Sequence, residues 1–112
     1  MAYFSPSGSG GAPSSVTITG VTTPTIANVG IPLANTEVSY LLPAGTRSFY
    51  ISLRDSSANL KLAYILGDSG ITYITIHRGN WYSEEDLSLV APTTLYFQAD
   101  TAAQTAEIVH WT

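Results

Sequence analysis

The sequence predicts an all-β protein, a single antiparallel β-sandwich or jelly-roll-like domain with an extended N-terminal arm. Short segments rich in β-branched and aromatic residues alternate apolar with polar side chains, as half-buried strands do. Turn signals separate these segments at intervals of about 8 to 12 residues, which is typical of sandwiches and jelly rolls. No segment of useful length has the apolar spacing of an amphipathic helix. Two packed sheets are therefore the expected architecture.

The chain divides into an arm, residues 1–20, and a β-domain, residues 21–112. The arm is rich in Ser, Gly and Pro, and Met1, Tyr3 and Phe4 are the large apolar side chains at its tip. Ordering about 20 residues costs roughly 20 kcal/mol of backbone entropy, whereas burying those three side chains returns on the order of 12 kcal/mol. We therefore expect a partner to hold the arm, most simply as an added strand on the sheet edge of a neighbour.

The first strands follow from alternation and from the turns that end them. Val16–Thr19 is a short β-branched strand, and residues 21–35, with two prolines and a glycine, suit an edge segment or a long irregular crossing. Glu37–Leu42 is the next strand, and the Pro-Ala-Gly turn at 43–45 ends it. Ser48–Arg54 alternates strictly, which directs the side chains of Phe49, Ile51 and Leu53 inward.

The second half of the chain continues the pattern, with turns at 55–59, 67–70, 77–80 and 100–104. The predicted strands are Leu60–Leu66, Ile71–Ile76, Trp81–Ser83, Thr94–Gln98 and Thr105–Trp111. Glu84–Leu89 is the one place where a single helical turn is expected.

Composition excludes several classes of partner. Only 11% of the residues are charged, 45% are hydrophobic, and the net charge is −4. The basic residues are few and form no run: Arg47, Arg54, Lys61 and Arg78. We therefore expect no binding to nucleic acid, and a surface that packs against other proteins. With no secretory signal pattern and no apolar run of about 20 residues, no association with a membrane is expected either.

No motif in the sequence predicts chemistry. The chain has no cysteine, and His77 and His110 lack a second ligand at metal-site spacing, so both are interpreted as turn or strand-edge histidines. The acidic run Glu84-Glu85-Asp86 lacks the pattern of a calcium loop and indicates a solvated turn or a helix N-terminus. No nucleophile elbow is present. The sequence does not exclude a pair of carboxylates for glycoside hydrolysis, because the two members of such a pair meet in space and not along the chain. We expect no enzyme activity, no metal and no cofactor.

Aromatic residues are more numerous than one small core needs: seven Tyr, two Trp and three Phe. Five of them fall at outward or end positions and are the candidate surface aromatics: Tyr50, Tyr73, Trp81, Tyr82 and Tyr96. Exposed Tyr and Trp suit either a protein interface or a platform on which sugars stack. The alternative is that a sandwich buries one end of each ring and hydrates the hydroxyl.

Several segments between residues 31 and 112 resemble a family of small virion proteins of tailed bacteriophages. They are IPLANTE at 31–37, LPAGT at 42–46, TYITI at 72–76, GNWYSEE at 79–85, LYFQ at 95–98 and IVHWT at 108–112. The resemblance implies a β-sandwich on the virion exterior, commonly a decoration or cement protein that stabilises the capsid by bridging capsomers. We expect it to form homo-oligomers, as trimers, and to bind the major capsid protein through Met1, Tyr3 and Phe4.

Two other roles in a phage particle stay open. The first is a tail-fibre or receptor-binding module in which Trp81, Tyr82 and Tyr50 stack on host surface glycan. The second is an adaptor at the head-to-tail junction or a tail component. Both roles require a stable β-domain with an extended terminus that contacts a neighbouring molecule, as a capsid decoration protein does.

Overall fold

The computed structural model describes residues 23–112, which form two four-stranded antiparallel sheets. The strands are β1 (Thr25–Ile31), β2 (Val38–Leu42), β3 (Ser48–Leu53), β4 (Leu60–Ala63), β5 (Ile74–Ile76), β6 (Trp81–Glu84), β7 (Thr93–Ala99) and β8 (Gln104–Trp111). This part of the chain contains no helix, and so none that would cross a membrane. The predicted all-β sandwich is confirmed. The predicted strand Val16–Thr19 and the arm with Met1, Tyr3 and Phe4 lie outside the described residues.

The strand order is that of a jelly roll. The first sheet runs β1-β8-β3-β6 and the second runs β2-β7-β4-β5. Antiparallel pairs form between β1 and β8, β2 and β7, β3 and β6, and β4 and β5. The chain is thus one long hairpin, with its tip between β4 and β5, rolled so that β8 also pairs with β3 and β7 with β4. As a result β5 and β6, which follow one another in sequence, are edge strands of different sheets.

The core lies between the inward faces of the two sheets. In β8 every second residue is buried, and the register places Ile108 opposite Ile51 of β3. In the other sheet Leu62 of β4 lies opposite Phe97 of β7. The buried cluster comprises Ile31, Leu42, Phe49, Ile51, Leu60, Leu62, Ile76, Leu95, Phe97, Ala99, Ala106 and Ile108. Burial of these aliphatic and aromatic groups is the main stabilising contribution to the fold.

Two of the predicted strands are shorter than expected. Leu60–Leu66 ends at Ala63, and Ile71–Ile76 begins at Ile74. Between them the chain turns, because the backbone N–H groups of Ile71 and Thr72 both donate to the carbonyl of Asp68 at 3.0 Å. Residues that continued the apolar alternation in sequence therefore lie in a loop. Within 21–35, the edge-segment interpretation is right, since β1 forms the edge of the first sheet there.

The helical turn expected at Glu84–Leu89 is wrong. Glu84 ends β6, and the residues after it extend along the β2–β3 connection. Leu87 N–H donates to the carbonyl of Arg47 at 2.9 Å, and Gly45 N–H donates to the carbonyl of Leu89 at 2.8 Å. Because these long-range bonds use the backbone groups and Leu87 and Leu89 pack on the core, an extended segment replaces the local helix.

Candidate interaction surfaces

The connection between β4 and β5 exposes an unusual amount of apolar surface. Leu66 is 74% exposed, Ile71 77% and Ile65 65%. With their neighbours they form what we call the loop surface: Tyr64, Ile65, Leu66, Ile71, Tyr73 and Ile74. These are six of the eleven exposed large hydrophobic residues in residues 23–112. The summed exposed area of these six side chains is on the order of 500 Å².

A polar anchor gives this loop a defined shape. The carboxylate of Glu37, just before β2, accepts hydrogen bonds from Gly67 N–H at 2.9 Å and from Ser69 N–H at 3.1 Å. It also accepts one from the Ser69 hydroxyl at 2.6 Å, and that hydroxyl lies 3.0 Å from Gln98 Oε1. Ser69 is only 1% exposed, so the centre of the loop is folded against the outer face of the second sheet. Beside this anchor, Leu66 and Ile71 keep about three quarters of their surface exposed, at 74% and 77%.

The charge of the anchor is stable at neutral pH. Desolvation tends to raise the pKa of Glu37, but the hydrogen bonds from Ser69 and Gly67 outweigh it and hold the pKa below its ordinary value. From residue 64 to residue 74 the sole charged side chain is Asp68. Three charged groups therefore lie at the loop surface: the carboxylates of Asp68 and Glu37, and the ammonium of Lys61 beside Tyr73.

A second feature is an open groove between the edge strands β5 and β6. Its volume is about 250 Å³, and its lining residues are Thr75, Ile76, His77, Asn80, Trp81 and Tyr82. The turn at 77–80 closes one end, with Asn80 N–H donating to the carbonyl of His77 at 2.9 Å and Gly79 at a φ of +77°. This confirms the predicted turn, and a residue with a Cβ would be strained at that φ.

The two neighbouring aromatics of β6 point in opposite directions. Trp81 lies on the outer face, is 61% exposed, and stacks on Tyr50 of β3 at a centroid distance of 6.4 Å. Tyr82 faces inward opposite Ile51, with its ring centroid 6.0 Å from that of Phe49. An outward Trp and an inward Tyr follow directly from the two-residue period of a strand.

Tyr82 also links the loop to the groove. Its hydroxyl donates a hydrogen bond to the Glu84 carboxylate and accepts one from the Tyr64 hydroxyl at 3.2 Å. Desolvation, followed by the hydrogen bond to Glu84, raises the pKa of Tyr82 well above its ordinary value. Burial also raises the pKa of Tyr64. Both phenols are protonated at physiological pH and bridge the two sheets at this edge.

Three of the candidate aromatics do not line the groove: Tyr50, Tyr73 and Tyr96. The Tyr73 ring lies 4.8 Å from Lys61 Nζ, in a cation–π contact on the second sheet. Tyr96 is half-buried in β7, opposite Ser39 and Ala63. The structure thus pairs Tyr50 with Trp81 on the outer face of the first sheet, turns Tyr82 toward Phe49 in the interior, and places Tyr73 and Tyr96 on the second sheet.

The expectation for His110 is wrong, although His77 does lie in a turn. His110 is 3% exposed, and the alternation along β8 puts its ring on the same inward face as Ile108. Its Nε2 lies 2.8 Å from the Tyr40 hydroxyl on the opposite sheet, and its Nδ1 has no hydrogen-bond partner. Burial lowers the pKa of His110. Within residues 23–112 no three His, Cys, Asp or Glu side chains come together as a metal site.

Sequence reasoning missed the loop surface and its Glu37 anchor. Extending the alternation of Leu60–Leu66 through residue 66 treated Ile65 and Leu66 as strand residues. The Gly-Asp-Ser-Gly turn at 67–70, with apolar residues on both sides, was the available signal for an exposed apolar loop.

The comparisons with known proteins show the fold alone. No protein-family model matches the chain, and no curated protein matches it. Among solved structures, the chain is similar to a de novo designed double-stranded β-helix determined by solution NMR. The TM-score is 0.50 at 15% sequence identity, over 81% of this chain and 100% of the designed chain. This likeness agrees with the rolled strand order described above, and residues 23–112 are those of a jelly-roll domain.

Proposed function

We propose that the protein is a structural component of a bacteriophage particle, a decoration protein that binds the outside of the capsid and stabilises it as an oligomer. The observation that carries the proposal is the loop surface. A monomeric protein seldom presents this much apolar area on one loop, and a polar anchor keeps it presented. Such a surface serves binding between proteins, and the phage role rests on the resemblance of residues 31–112 to virion proteins.

A second copy of the chain is the partner that the loop surface fits best. Two such surfaces bury about 1,000 Å² in total, near the lower limit for a specific interface. Each contributes on the order of 12 kcal/mol of apolar burial, which is comparable to the estimated cost of association. The charges at this surface are the carboxylates of Asp68 and Glu37 and the ammonium of Lys61 beside Tyr73, so each copy brings charges of both signs to the contact. Three loop surfaces that meet around a threefold axis, each touching both of its neighbours, form a closed trimer and place three arms around that axis.

The arm completes the proposal. Met1, Tyr3 and Phe4 bind the major capsid protein, and a trimer at a threefold position of the capsid carries three such contacts. Because the contacts belong to one assembly, their effective concentrations are high and weak single contacts add up to stable attachment. The low charge of the chain, 11%, suits repeated packing against neighbours.

Light scattering on the full chain tests the self-association. The wild type is expected to be a trimer, and Leu66→Asp and Ile71→Asp are expected to be monomers, because each places a charge in the interface. Val90→Asp is the matched control, since Val90 is 94% exposed but lies outside the loop surface. A monomeric wild type, or variants that remain trimers, would contradict the proposed interface.

Copy number tests the place in the particle. Quantitative mass spectrometry of purified virions of the encoding phage is expected to find the chain in hundreds of copies, as a capsid lattice requires. A few dozen copies or fewer would instead favour the tail-fibre module or the head-to-tail adaptor. Absence from the virion would refute a structural role altogether.

A further inference from the structure

The groove between β5 and β6 is not used by the proposed assembly contacts, and its chemistry indicates a small ligand. We infer that it binds one neutral hexopyranose ring, a single sugar unit, stacked on the indole of Trp81. The inference rests on the exposure and support of Trp81, on the polar groups around it, and on the size of the groove.

Trp81 provides a rigid stacking face. The indole is 61% exposed, although aromatic side chains of this size are usually covered in a monomer. Tyr50 stacks against it with an interplanar angle of 28°, which limits the rotamers open to the indole before any ligand arrives. A side chain already held in place loses little conformational entropy on binding. The apolar C–H face of a sugar ring is a suitable partner for such a surface.

The polar groups that line the groove are all uncharged side chains or a histidine. Asn80 offers an amide donor and acceptor, Thr75 a hydroxyl and His77 a ring nitrogen. The hydroxyl groups of a sugar both donate and accept hydrogen bonds, so they can pair with these donors and acceptors of the protein. None of the six lining residues is Lys, Arg, Asp or Glu. The groove therefore favours a neutral ligand over a phosphate, a carboxylate or an ammonium group.

The size of the groove limits the ligand to about one ring. Its volume of about 250 Å³ lies below the roughly 300 to 1,000 Å³ of pockets for drug-sized molecules. The turn at 77–80 that closes the groove is also fixed by a residue outside the turn, because Arg78 N–H donates a hydrogen bond to Asn59 Oδ1 at 2.7 Å. The site is thus formed before binding, as small-molecule sites usually are.

Fluorescence titration of the full chain with glucose, galactose, mannose and N-acetylglucosamine tests the inference. The chain has two tryptophans, so the Trp111→Phe variant leaves Trp81 as the sole source of indole fluorescence. At least one sugar is expected to shift the Trp81 emission of this variant, with a Kd on the order of 1 mM, as befits so small a ligand.

Two further variants identify the site. In two-dimensional NMR of amide groups, Trp81→Ala is expected to weaken binding at least about tenfold, and Asn80→Ala about fivefold. Leu66→Asp, in the loop surface, is expected to bind sugar as the wild type does, so failure of the assembly proposal and failure of this one are distinguishable. Unchanged affinity in a folded Trp81→Ala variant, or no response to any of the four sugars at about 100 times the expected Kd, overturns the inference.

Discussion

Replacing Glu37 with alanine is expected to release the β4–β5 loop from the second sheet. The substitution removes the acceptor of three hydrogen bonds, from Gly67 N–H and from the N–H and hydroxyl of Ser69. Hydrogen bonds to a charged group contribute about 1.5 to 3 kcal/mol each, but this carboxylate is largely hydrated, so the sum is reduced. We expect the free energy of local opening to fall by about 2 kcal/mol, much of it from leaving the Ser69 N–H buried without a partner, since the Ser69 hydroxyl can still donate to Gln98 Oε1.

Amide hydrogen exchange measures this opening residue by residue. A fall of about 2 kcal/mol corresponds to roughly 30-fold faster exchange of the Gly67 and Ser69 amides. Glu107→Gln is the control, because its ion pair with Arg54 at 2.9 Å is between exposed side chains and contributes at most about 1 kcal/mol. Amides of the core strands are expected to keep their protection in both variants. Unchanged exchange at residues 67 and 69 in Glu37→Ala would refute the anchoring role.

Two further predictions concern the stability of the domain. Phe97→Ala removes the largest fully buried side chain and is expected to lower the free energy of unfolding, measured by urea titration, by about 3 to 5 kcal/mol. Phe97→Leu is expected to lower it clearly less. Equal losses of stability in the two variants would contradict a packed interior at this position. The folded-state pKa of His110 is lowered by burial, so the unfolded state binds more protons and stability is expected to fall as the pH drops below about 6.5. His110→Gln is expected to flatten the pH dependence of the urea midpoint between pH 6.5 and about 5, a range above that in which the carboxylates titrate. An unaltered pH dependence in this variant would show that another group is responsible.

Much of the local structure is predictable from the sequence. The alternation in Ser48–Arg54 correctly directs Phe49 and Ile51 into the core, because side chains on a strand change face at every residue. The turn at Gly45 also follows from sequence, since Pro43 presets one backbone angle and Gly45 accepts a φ of +87°. These are local effects of sterics and hydrophobicity, and they act whatever the rest of the chain does.

The errors arise where distant segments compete with local preference. Glu84–Leu89 satisfies its backbone groups by bonding to the chain around Arg47, some 40 positions earlier, and not within a helical turn. His110 lies near the end of the chain but is buried, because its ring faces the opposite sheet and contacts Tyr40 there. Neither contact leaves a signal in the residues nearby.

The amino-acid sequence by itself determined that this chain is a charge-poor, all-β protein, where most of its strands lie, and which side chains of a strand such as β3 face inward. Tertiary structure decided which strands pair, and with them both interaction surfaces. One hydrogen-bonded ladder is chemically much like another, so the pairing of β1 with β8 depends on how the whole rolled hairpin closes. That closure brings Glu37 to a loop 30 residues later and sets Trp81 beside the edge of the opposite sheet.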